Sequence, residues 1–167
     1  KGANIVFADA DEEAIIRGVK RVFNNSGQSC NAPTRLVVES SIYKRAVIEA
    51  VEVANNTKVD KSEKEGKHIG PVVSKTQYDK IQKLIQQGIE EGATLSAGGP
   101  DRPDHLPKGY FIRPTVFSDV KNEMTIATDE IFGPVVSIIS FDTEEEAIKI
   151  ANETSYGLTN YIQTNNR

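Results

Sequence analysis

Val135-Val136-Ser137-Ile138-Ile139 is an almost uninterrupted apolar run, and it limits the fold more than any other segment. A strand of this kind has no wet face, so it must be covered on both sides. Helices packed on both faces of a mainly parallel sheet supply that cover. The rest of the chain agrees, because strand-like and helix-like segments alternate through it. Asn4 to Ala8 is a short apolar run, followed by Asp9 and Asp11, which suit a helix start. From Glu12 onward, Ala14, Ile15, Val19, Val22 and Phe23 recur at helical spacing. Arg35-Leu36-Val37-Val38-Glu39 then reads as a strand. Ser40 or Ser41 is placed to cap a second helix, whose apolar side carries Ile42, Ala46, Val47, Ala50, Val51 and Ala54.

Lys58 to Lys67 is polar and lysine-rich and predicts a surface loop. Ser74 is the expected cap of the longest helix, Lys75 to Glu91, in which Tyr78, Ile81, Leu84, Ile85 and Ile89 keep period and Gly92 is the stop. Ala93 to Ala97 reads as a strand. Gly98 through Gly109, with three prolines, is turn-rich. Tyr110 to Val120 is extended, and Pro114 marks it as an edge or irregular strand. After the Val135 run, Thr143 caps a helix with Glu144 to Glu146 in its first turn and Ala147, Ile148, Ile150 and Ala151 facing inward. Leu158 to Gln163 is the last predicted strand. The rhythm predicts an α/β fold, a mainly parallel sheet flanked by helices in three α/β/α layers.

The 167 residues amount to about one domain. Lys and Arg number 20 against 24 Asp and Glu, a net charge of -4, which gives no support to nucleic-acid binding. No apolar run approaches the roughly 20 residues of a membrane-spanning helix, and no signal-peptide pattern opens the chain. One cysteine and no disulfide option fit a reducing cytoplasm. Both ends are abrupt: Lys1-Gly2-Ala3 leads straight into a strand, and Tyr161-Ile162-Gln163 stops near the end of one. The expectation is a piece of a longer protein.

That single cysteine, Cys30, lies in Phe23-Asn24-Asn25-Ser26-Gly27-Gln28-Ser29-Cys30-Asn31-Ala32-Pro33. Unpaired cysteines are most often small core residues, but this one follows a helix through a glycine, which suits display at a turn. His68 and His105 stand alone with no ligand spacing to Cys30, so no metal site is expected. A cysteine–histidine hydrolase would require one of them to fold back onto Cys30. No Gly-x-Gly-x-x-Gly or Gly-x4-Gly-Lys-Ser/Thr loop occurs.

Phe23-x-x-x-Gly27-Gln28-x-Cys30 resembles the active-site cysteine signature of the aldehyde dehydrogenase superfamily, and Glu130-Ile131-Phe132-Gly133-Pro134-Val135 resembles its second hallmark. Lys1-Gly2-Ala3-Asn4-Ile5-Val6 is similar to the stretch after the family's Glu-Leu-Gly-Gly motif. Gly70-Pro71, Gly109 to Val116 and Tyr156-Gly157-Leu158 follow in family order, so the resemblance spans the whole chain.

The resemblance implies a truncated catalytic domain over 1–167, with Cys30 as the nucleophile that attacks an aldehyde. Glu130 is implied as a contact to the nicotinamide ribose, Phe132 as the aromatic beside the nicotinamide ring, and Gln77 as a further ribose contact. The cofactor is NAD or NADP, the substrate a small aldehyde, and the full-length protein a homo-oligomer. Many relatives have an aromatic lining the aldehyde tunnel where this chain has Asn24, which implies a more polar pocket. The cofactor domain, the deacylating glutamate and the oxyanion-hole asparagine are implied upstream of Lys1, so the isolated chain is expected to be inactive. A CoA-acylating semialdehyde dehydrogenase and a non-catalytic binding or assembly relative are the alternatives.

Overall fold

The computed structural model describes residues 1–166. Its strands are β1 (Ala3–Val6), β2 (Arg35–Glu39), β3 (Thr94–Ala97), β4 (Thr115–Ser118), β5 (Val135–Phe141) and β6 (Tyr161–Gln163). Its helices are α1 (Ala14–Phe23), α2 (Tyr43–Asn56), α3 (Lys75–Glu90), α4 (Thr125–Thr128) and α5 (Glu144–Asn152). The strands form one sheet in the order β3-β4-β5-β2-β1-β6. Only β3, on β4, pairs antiparallel; every other pair is parallel.

The apolar run of β5 lies inside this sheet and is used on both faces, as its composition requires. Val135, Ile139 and Phe141 pack with Tyr78, Ile81 and Ile85 of α3 and with Ala147 and Ile150 of α5. Val136 and Ile138 pack with Ile15, Val19 and Val22 of α1 and with Ala46 and Ala50 of α2. The intervening polar residue, Ser137, is fully buried but satisfied by donating to the Ile126 carbonyl (3.3 Å). This is the expected three-layer α/β/α arrangement. The helix starts at Ser74 and Thr143 also form as read, their hydroxyls accepting from the Gln77 and Glu146 amides. Among the described residues no helix is long and apolar enough to cross a membrane.

Five local expectations are corrected. Ser40 and Ser41 cap no helix: a 3₁₀ turn (Ser40–Ile42) precedes α2, and their hydroxyls donate to the Phe141 carbonyl and the Glu39 carboxylate. Asp11 lies ahead of α1, accepting from the Glu13 amide, while the N-cap is Glu13 without a side-chain bond. Pro114 does not mark an edge. It falls one residue before β4, so its missing N–H lies outside the ladder, and β4 is paired on both sides. Ile148 is half exposed, because only Ala147, Ile150 and Ala151 of α5 turn toward the sheet. The last strand is only Tyr161–Gln163, and Leu158 is exposed before it.

The largest fully buried side chain is Arg35, at the start of β2. Its Nε and Nη2 donate to the Lys1 carbonyl (3.1 and 2.7 Å), Nη1 to the Ile150 carbonyl (2.7 Å) and to Asn122 Oδ1 (3.1 Å), and Nη2 to the Ala151 carbonyl (2.9 Å). Among the described residues no carboxylate forms an ion pair with it. The carbonyls at the end of α5 carry the partial negative charge of a helix C-terminus, and they compensate the cation. Burial pushes the guanidinium below its ordinary pKa. Arg35→Ala strands these acceptors in the interior and is expected to lower unfolding free energy by roughly 3 kcal/mol or more. Arg35→Lys, with three donors on a flexible stem in place of a planar fork, recovers only part of that loss. Urea unfolding of both variants is the check; a loss below about 1 kcal/mol for Arg35→Ala would contradict the assignment.

Candidate active site

α1 ends at Phe23, and the chain then reverses through three successive left-handed residues, Asn25 (φ +52°), Ser26 (φ +56°) and Gly27 (φ +72°). Such a run is strained for non-glycine residues and is held from outside. Ser26 Oγ donates to the Gly70 carbonyl (2.7 Å), and Gln28 Oε1 accepts from the Val73 amide (2.8 Å). Asn25 Nδ2 closes the loop on the Gln28 carbonyl (2.9 Å). Cys30 follows in a turn closed by Ala32 N–H to Ser29 O (3.1 Å), and it is exposed.

Glu130 and Phe132 come from the link between α4 and β5. α4 is a single turn that the sequence periodicity does not reveal. Phe132 is itself left-handed (φ +56°), and its amide donates to Glu130 Oε1 (3.3 Å). Gly27 brings this link to the cysteine loop. A Cβ on Gly27 would fall 2.0 Å from the Gly133 carbonyl oxygen, so only glycine permits the contact. Residues a hundred positions apart in sequence thereby share one cavity of about 220 Å³, lined by Lys1, Gly2, Cys30, Glu130, Phe132 and the Tyr156–Thr159 segment.

Gln77 does not line this cavity. It projects from α3, and its Nε2 donates to the Ile131 (2.9 Å) and Phe132 (3.0 Å) carbonyls. Asn24 also lies elsewhere, on a larger groove of about 710 Å³ beside α1. All the cavity residues precede strands: Lys1 and Gly2 lead into β1, Cys30 into β2, Glu130 and Phe132 into β5, and Tyr156–Thr159 into β6. The site therefore sits at the amino edge of the parallel strands.

Lys1 is the residue that sequence reasoning passed over. Its side chain is buried, and Nζ donates to the Asp129 carbonyl (2.9 Å). Burial lowers its pKa to about 8, with the nearby Glu130 carboxylate pulling it back up. Its only signal in the sequence is a lysine two residues ahead of an apolar strand. Among the described residues, no group of three or more His, Cys, Asp or Glu side chains is placed to hold a metal ion.

The sequence profile of the aldehyde dehydrogenase family matches residues 1–167. The chain is 59% identical to a crystal structure of aldehyde dehydrogenase from Bartonella henselae (TM-score 0.99), covering 100% of this chain and 35% of that one. It is 41% identical to a mutant of aldehyde dehydrogenase C from Pseudomonas syringae, solved with NAD+ and octanal (TM-score 0.97; 99% and 34% covered). A Staphylococcus epidermidis protein whose name places it among the aldehyde dehydrogenases is 47% identical over 163 residues, 97% of this chain and 34% of that protein. The chain thus spans about a third of the length of the relatives it matches.

Two outcomes follow from the geometry. Gly27→Ala puts a methyl group into the Gly133 carbonyl at a left-handed position and is expected to cost at least about 2 kcal/mol in urea unfolding; an unchanged midpoint would mean that the two loops do not touch. Titration of the Lys1 ammonium by NMR is expected to show a midpoint near 8, against the ordinary 10.5. Since the unfolded chain keeps that proton to higher pH, this group makes stability rise with pH between those two values. A midpoint near 10.5 would show a solvated ammonium.

Proposed function

The chain belongs to the aldehyde dehydrogenase family, and from that premise we propose that it is the cysteine-bearing part of a catalytic domain that oxidises an aldehyde to a carboxylic acid with NAD or NADP. The observation that carries this reading is the common cavity of Cys30, Glu130 and Phe132.

An exposed thiol on a turn is accessible to a carbonyl carbon, and thiolate is a strong nucleophile near neutral pH. Attack by Cys30 Sγ forms a C–S bond and moves the carbonyl π pair onto oxygen. The Cys30 backbone N–H makes no hydrogen bond among the described residues and is free to donate to that oxygen. A nicotinamide dinucleotide with its nicotinamide end in the cavity would supply the acceptor for the hydride that leaves carbon. Loss of hydride converts the thiohemiacetal into a Cys30 thioester, and water then cleaves the C–S bond, giving the acid and regenerating the thiol.

Glu130 and Phe132 fit the nicotinamide end of such a cofactor. A half-buried carboxylate offers two acceptor oxygens to ribose hydroxyls, and a half-buried ring offers a flat apolar wall beside the thiol. This chain offers no glycine-rich loop for the diphosphate, so the isolated chain is proposed to have no turnover. In the full-length protein, Cys30→Ala is expected to lower kcat by at least about three orders of magnitude while leaving dinucleotide binding intact. Glu130→Gln is expected to weaken that binding by about tenfold or more. Steady-state NAD(P) reduction and a binding titration check both; a Cys30→Ala enzyme with near-normal turnover would overturn the reading.

A further inference from the structure

We propose that Lys1, Gln77 and Lys80 form a clamp that positions Glu130 and Phe132, holding the backbone between α4 and β5 by its carbonyl groups. Four consecutive carbonyls of this link each accept a hydrogen bond from a side chain. Lys1 Nζ reaches Asp129 O (2.9 Å), Lys80 Nζ reaches Glu130 O (2.7 Å), and Gln77 Nε2 reaches both Ile131 O (2.9 Å) and Phe132 O (3.0 Å). An amide nitrogen has two hydrogens, so Gln77 Nε2 is fully committed to the link. The next two carbonyls, Gly133 and Pro134, are taken by the Val135 and Thr115 amides (both 2.8 Å).

The grip comes from two elements. Gln77 and Lys80 are three residues apart on α3, which puts them on one face. That helix is fixed by its Ser74 cap and by Ile81 and Ile85 in the core. Lys1 comes from a different element, the lead-in to β1, and Arg35 holds its carbonyl. Between them lies Phe132 in its left-handed conformation, which persists only where surroundings impose it. Without the donors, the carbonyls turn toward water and the carboxylate and ring leave their places in the cavity wall shared with the thiol. Lys80 is exposed and contributes least; Lys1 is buried and Gln77 half-buried. These are positioning residues, acting on the cofactor through Glu130.

The inference rests on the cofactor reading above, and the test separates the two. In the full-length protein, Lys1→Met and Gln77→Leu are compared with Glu130→Gln by hydrogen–deuterium exchange and by NAD binding titration. Exchange of the Asp129–Gly133 peptide is expected to accelerate about fivefold to tenfold in both clamp variants, with β5 and α5 peptides unchanged. The NAD dissociation constant is expected to rise by a similar factor, and no further when either change is added to Glu130→Gln. Unchanged exchange in both variants, or fully additive effects on binding, would overturn the clamp. If Glu130→Gln alone leaves binding unaltered, the cofactor reading fails, and the exchange data still decide the clamp. Should Lys1→Met not fold, Gln77→Leu alone decides it.

Discussion

Arg35 is the fixed point from which the site is laid out. Its guanidinium is fully buried and ties three segments that are remote in sequence: the lead-in to β1 through the Lys1 carbonyl, the approach to α4 through Asn122, and the end of α5 through Ile150 and Ala151. Each of these segments runs directly into the cavity wall, at Lys1, at Glu130 and at Tyr156. A buried cation is costly unless its donors are met. The planar fork of arginine meets several acceptors at fixed angles, so its partners have little freedom to shift independently.

From that frame the thiol and the carboxylate are brought together by backbone contact, with side chains serving as braces. Gly27 lies against Gly133 where no other residue fits, and left-handed residues occur on both sides of the contact, in Asn25, Ser26 and Phe132. Strain of this kind costs on the order of 1–3 kcal/mol per residue. The bonds from Ser26 to Gly70, Gln28 to Val73 and Gln77 to the Phe132 carbonyl are what hold it. The site is therefore specified by conformations the free chain avoids.

Much of the fold was legible because its determinants are local. The double-faced run of β5, the period of α3 and the caps at Ser74 and Thr143 act within a few residues of themselves. Two of the corrections have a different cause, a deciding partner far away in sequence. The Ser40 hydroxyl was claimed by Phe141, a hundred residues on. Pro114 precedes a strand that is interior only because β5, twenty residues on, pairs with it. Others are local: α4 is too short to show a period, and the buried stripe of α5 takes in Ala147, Ile150 and Ala151 but leaves out Ile148. At the site, the family motifs identified Cys30, Glu130 and Phe132, which meet in one cavity. They gave no hint that Lys1 is buried or that Gln77 faces a backbone instead of the cavity, since both depend on where α4 delivers the chain.

The direction of the strands has a consequence for what can enter this cleft. Helices α1 and α5 run back toward this edge, but the last carbonyls of α5 are already taken by Arg35 and α1 delivers Asn24 to the neighbouring groove. What enters the cleft therefore meets its fixed charge in two side chains, the buried Lys1 and the half-buried Glu130.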